Sequence, residues 1–107
     1  MTTFKAALAL CGLSQQEAAE FLGVSFDTVK KWAQGKNPVP AGVWNMLSDL
    51  FRRIEDTADL AAGEIEPDLM DPRAMSQVTA DSGPDPLPGS GDYVAGAMAL
   101  LLAIQDD

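Results

Sequence analysis

The sequence predicts an all-α protein, and three observations carry that prediction. Apolar residues recur at three- and four-residue spacing through most of the first 62 positions. Serine or threonine stands just ahead of the first three of these stretches, where a side-chain oxygen can accept from an amide of the first helical turn. Glycines then fall where the stretches stop, at Gly12, Gly23 and Gly35.

The elements follow in order. Thr2 or Thr3 caps a first helix running to about Cys11, with Phe4, Ala7, Leu8 and Cys11 on one stripe. Gly12 ends it and Leu13 plugs in behind. Ser14 with Glu17 three residues later makes a capping box for a second helix, in which Ala18, Ala19, Phe21 and Leu22 are the apolar positions. Gly23 stops that helix at low conformational cost. Ser25 caps a third helix through Gln34, with Val29, Trp32 and Ala33 turned inward and Asp27, Thr28, Lys30, Lys31 and Gln34 outward. After the loop Lys36–Pro40, Pro40 suits the first position of a fourth helix spanning Ala41 to Ala62. Val43, Leu47, Leu50, Phe51, Ile54, Ala58 and Ala61 form its stripe, and Leu60 lies off it. Such a helix is about 33 Å long, more than the hairpin can cover. Its second half is expected to overhang or to meet a partner subunit or the chain's own C-terminal segment.

Residues 63–91 change character, with five prolines and many acids between Glu64 and Gly91, and read as an extended or disordered linker. Leu69, Met70, Met75 and Val78 are its possible anchors. Asp92 caps a last helix from Tyr93 to about Ile104 that is apolar on nearly every side and so has to be buried. It either closes the core in cis or packs against a second copy. The expected division is thus a head over 1–62, an acidic linker over 63–91 and an apolar helix over 92–107.

The net charge is −9, but it is unevenly divided. Residues 1–54 carry six basic and four acidic side chains, and residues 55–107 carry Arg73 against twelve acids. A mildly basic first half over 1–54, net +2, therefore precedes a strongly acidic second half over 55–107, net −11. With one cysteine and no histidine, a disulfide framework is excluded and a zinc site is not expected. Cys11 reads as a small core residue. No apolar run approaches the roughly 20 residues of a spanning helix. The weakly apolar start continues into the capped helices, so its removal would ruin the fold, and a reducing, cytoplasmic setting is expected.

Capping box, small residue at Ala19, Gly23 and inward Val29 and Trp32 together resemble the helix-turn-helix of lambda-repressor/Cro-like (XRE-type) transcription regulators. The likeness covers about the first 60 residues and is most specific over 13–36; the bland reading is a plain helical hairpin. It implies an all-α, lambda-repressor-like domain of about five helices that binds double-stranded DNA, with the third helix in the major groove. The same resemblance places Ser25, Phe26, Asp27 and Thr28 near base edges, with Lys31 one turn on. Lys31 can donate to guanine, Thr28 can meet a thymine methyl or donate to an acceptor, and Asp27 can accept from cytosine. Asp27 also fits as an acid stabilising the helix N-terminus, and Phe26 as a cover for the turn. Gln15, Gln16, Lys30, Gln34, Lys36 and Asn37 are the candidate phosphate contacts, although Lys30 and Lys36 also fit a solvated face. Arg52 and Arg53 lie too far along the fourth helix to be included.

Family members commonly act as two-fold dimers on near-palindromic operators, so the resemblance implies a homodimeric autorepressor. Small XRE-type proteins also serve as phage regulators and antitoxins, and the Trp32–Pro40 segment WxxGxxPVP resembles repressors found beside anti-CRISPR genes. The alternative is an antitoxin or other interaction module whose acidic tail binds a basic protein partner. No acid is matched with a base, a metal-ligand set or a phosphate loop, so neither enzyme activity nor a cofactor is expected.

Overall fold

The computed structural model of the chain describes residues 2–65, 78–83 and 85–105. Among them are five helices and no strand: α1 (Thr3–Leu10), α2 (Gln15–Leu22), α3 (Phe26–Ala33), α4 (Ala41–Ala62) and α5 (Gly91–Gln105). The fold is all-α.

Thr2 caps α1, its Oγ1 accepting from Lys5 N at 3.2 Å. The same hydroxyl donates to the Ala33 carbonyl at 2.9 Å and so ties the start of α1 to the end of α3. Both halves of the α2 capping box form: Ser14 Oγ accepts from Glu17 N at 3.1 Å, and Glu17 Oε1 accepts from Ser14 N at 3.0 Å. The core of the head gathers Phe4, Leu8, Cys11, Leu13, Ala18, Ala19, Val29, Trp32, Val43, Leu47 and Leu50 into one buried cluster. Cys11 is part of it, with Sγ 3.5 Å from the Leu47 carbonyl. Burial pushes its thiol pKa up, which keeps it protonated and unreactive at neutral pH.

Two helix starts differ from expectation. Pro40 is the N-cap of α4, not its first helical residue: its φ of −61° suits a helix, but its ψ of 149° is extended. Its carbonyl accepts from Val43 N at 3.1 Å. At the last helix, Asp92 lies inside the first turn of α5 and does not cap it; the Ser90 carbonyl accepts from Val94 N at 3.1 Å. One Asp92 carboxylate oxygen is buried without a partner among the described residues.

The long α4 meets the chain's own C-terminal helix, and α4 against α5 is the most extensive helix–helix packing among the described residues. The expectation that α5 is buried all round is overturned. Gly91, Ala95, Gly96, Ala99 and Ala103 are buried, whereas Tyr93, Leu101 and Ile104 stay exposed, Tyr93 by 64 % and Leu101 by 59 %. The buried positions of the helix are alanines and glycines, Gly96 lying against the backbone of Val78 and Thr79, while Tyr93, Leu101 and Ile104 face outward.

The segment before α5 is strapped to the head. Ser90 N donates to the Gly12 carbonyl at 2.6 Å, Ala80 N donates to the Asp92 carbonyl at 3.2 Å, and Ala80 and Leu87 are buried in the common core. Val78 is half-buried; Leu69, Met70 and Met75 lie outside the described residues. Gly12 is needed twice over, for its φ of +69° and because a Cβ there would lie 2.6 Å from the Ser90 carbonyl carbon.

The strap also sits tightly on α5. A Cβ on Gly96 would meet the Val78 carbonyl and lie 2.5 Å from Thr79 Cα, both of them backbone. Gly96→Ala is therefore expected to destabilise the fold by about 1–3 kcal/mol, the usual cost of overpacking. Thermal denaturation checks this; an unchanged midpoint would mean that the strap is not held against α5.

Candidate nucleic-acid interface

The α2–α3 hairpin is set by local chemistry at both ends of its turn. Gly23 adopts φ 71° and ψ 31°, and the Ala19 carbonyl accepts from Val24 N at 3.1 Å, which closes the end of α2. Two residues later Ser25 opens α3, its Oγ accepting from Thr28 N at 3.2 Å. The turn is therefore short, and α3 starts in a fixed place relative to α2.

Behind α3 lies an aromatic relay. Val29, Trp32 and Ala33 are buried on one side of the helix. The Trp32 ring meets Phe4 edge-to-face at 5.8 Å, and Phe4 meets Trp44 in the same way at 5.9 Å. Rings from α3, α1 and α4 are thus locked together, and such pairs add about 0.5–1.5 kcal/mol beyond their burial. Thr2 holds the far end of α3 through Ala33. The helix is a rigid rod with one face committed to the core.

The opposite face is free. Ser25, Phe26, Asp27, Lys30, Lys31 and Gln34 are exposed, and Thr28 is half-buried. Phe26 is 50 % exposed at the first helical position, an unusual place for so large an apolar group. The Thr28 hydroxyl is engaged with Ser25 Oγ at 2.8 Å, which leaves it one or more hydrogen-bonding sites and its methyl group to offer a base edge. Lys31 Nζ lies 3.2 Å from Asp27 Oδ2, one helical turn away. Just beyond α3, Lys36 N donates to the Lys31 carbonyl at 3.0 Å, and the Lys36 and Asn37 side chains are exposed.

At the start of α2, Gln16 is exposed and Gln15 half-buried. Ser14 satisfies the Glu17 and Ala18 amides through its hydroxyl and carbonyl. The Gln15 and Gln16 amides are the donors of this turn that the capping box does not fill. The Glu17 carboxylate sits on the same turn, held back against Ser14 N. Arg52 and Arg53 are exposed on α4, and Arg53 Nη2 donates to the Asp85 carbonyl at 3.4 Å, so this arginine serves the strap.

The helix-turn-helix family model, of the XRE/lambda-repressor-like kind, matches residues 4–53. The match spans just under half of the 107-residue chain and marks a helix-turn-helix segment of this kind within it. The matched span runs from Phe4 to Arg53 and so takes in α1, α2, α3 and the first part of α4. The match does not distinguish the anti-CRISPR-associated type. No curated protein and no solved structure matches the chain. Helix-turn-helix proteins of this family bind DNA as regulators, and the match supports a DNA-binding regulator in that general sense. No helix among the described residues is long and apolar enough to cross a membrane.

Two contacts of the helix-turn-helix region have no signal in the sequence, and a third has a local one. The Thr2–Ala33 bond joins residues 31 apart, and nothing local announces it. Trp44 fits the helical period of Leu47 and Phe51, but its contact with Phe4, far away in sequence, has no local signal. The Asp27–Lys31 pair was readable from its i,i+4 spacing alone.

Proposed function

We propose that this chain is a dimeric autorepressor that binds a near-palindromic operator through the helix Ser25–Gln34. One observation carries the reading: α3 presents a polar and charged outer face while Val29, Trp32 and Ala33 fix it rigidly from behind. In this reading Ser25, Phe26, Asp27, Thr28 and Lys31 meet base edges. Gln15, Gln16, Lys30, Gln34, Lys36 and Asn37 contact the phosphate backbone and set the register. Glu17 weakens the anion attraction at the start of α2, so the lysines supply most of the charge.

Two features support a dimer. Residues 1–54, with net charge +2, attract phosphate only modestly, and linking two copies multiplies that weak affinity. The outward stripe of α5 leaves Tyr93, Leu101 and Ile104 without cover. A second copy packed there gives these side chains a partner in a helix whose one charged residue is Asp92. The segment 1–62 then reads DNA, and the segment 92–107, through α5, holds the two copies together.

Sedimentation of the purified chain is expected to give about twice the chain mass. Leu101→Asp, at an exposed position, is expected to give a folded monomer with weaker operator binding. A monomeric unchanged chain that still binds its operator tightly would refute the dimer.

A further inference from the structure

We propose that Asp27 and Lys31 form a single reading unit for one G·C base pair in each half-site, Lys31 donating to guanine and Asp27 accepting from cytosine. This rests on the reading that α3 enters the major groove.

The geometry is that of a donor set beside an acceptor. Lys31 Nζ and Asp27 Oδ2 are 3.2 Å apart, and the two side chains are 50 % and 72 % exposed. In the major groove a G·C pair shows the acceptors N7 and O6 of guanine next to the N4 donor of cytosine. O6 and N4 are themselves joined by the base pair's N–H···O hydrogen bond, so they lie about 2.9–3.0 Å apart. The side-chain pair has nearly the same spacing with the opposite polarity. It can lie against that edge while staying closed, with Nζ over O6 and N7 and the carboxylate over N4. An A·T pair also places a donor beside an acceptor. On the thymine side, however, Lys31 would find one acceptor flanked by a methyl group, where guanine offers two acceptors.

Charge supports the same division of labour. Held against each other, Asp27 and Lys31 nearly cancel and add little to general phosphate attraction. Lys30 and Lys36 are left to supply that term, while the pair contributes to sequence choice. Asp27 then has a role beyond that of an acid at a helix start, which alone would affect stability and not base preference.

The test is selection of bound sequences from a random double-stranded library, using the full chain unchanged, with Asp27→Ala and with Lys31→Ala. The unchanged chain is expected to enrich a G·C pair at one position of each half-site. Each variant should lose about ten-fold or more of its preference at that same position. Asp27→Ala should also bind unrelated DNA more tightly, because a negative charge has gone. Two results would overturn the proposal while leaving operator binding intact: the variants altering different positions, or Asp27→Ala shifting affinity with every preference unchanged. If the unchanged chain enriches no sequence, the operator reading itself fails and the pair's role falls with it.

Discussion

Replacing Trp32 with alanine is expected to cost the fold about 3–5 kcal/mol, the usual range for deleting a buried large aromatic. Trp32 is 7 % exposed and sits where α3 meets the rest of the head. Its ring is one end of the relay through Phe4 to Trp44. Truncation removes the edge-to-face contact and opens a cavity directly behind the outward face of α3. Against a total stability of about 5–15 kcal/mol for an ordinary domain, that loss unfolds much of the population or leaves α3 poorly seated. Denaturant unfolding measures it, with Trp32→Phe as the variant expected to retain part of the contact. A loss under about 1 kcal/mol would show that α3 is held chiefly by Val29, Ala33 and the Thr2 bond.

The second large effect is on DNA binding. Lys30→Ala combined with Lys31→Ala is expected to lower operator affinity about a hundred-fold, since one base contact and one phosphate contact are lost together. Both side chains are exposed, so the melting temperature should hardly move. The dependence of binding on salt should flatten by about one unit of slope for the lost phosphate contact. Parallel titrations at several salt concentrations check both. Unchanged operator affinity in a folded double variant would mean that α3 is scaffold. The chain would then act through a protein partner, which the lysine changes should leave bound.

Much of the head was legible because its determinants are local. Ser14 and Glu17 are three residues apart, Gly23 marks a left-handed turn, and Ser25 lies where only a cap is useful. The same holds for the outward face of α3, since burial of Val29, Trp32 and Ala33 dictates by helical period which neighbours are exposed. What escaped depends on contacts distant in sequence. The strap carries no apolar period, because Ala80 and Leu87 anchor it from extended backbone and are separated by turn residues. At α5, Asp92 has the look of a cap, yet Ala80 pairs with its carbonyl and the helix begins one residue earlier. Composition alone also misled about burial there. An apolar helix can expose large side chains when its buried positions are filled by alanine and glycine.

The central claim is that α3 reads DNA as part of an autorepressor, and a gel-shift titration tests it most directly. The unchanged chain would be titrated against DNA from just upstream of its own gene, at low and physiological salt, with unrelated DNA of equal length as competitor. The account predicts binding that weakens steeply with salt and survives the competitor. Binding no better than that to the competitor would contradict it.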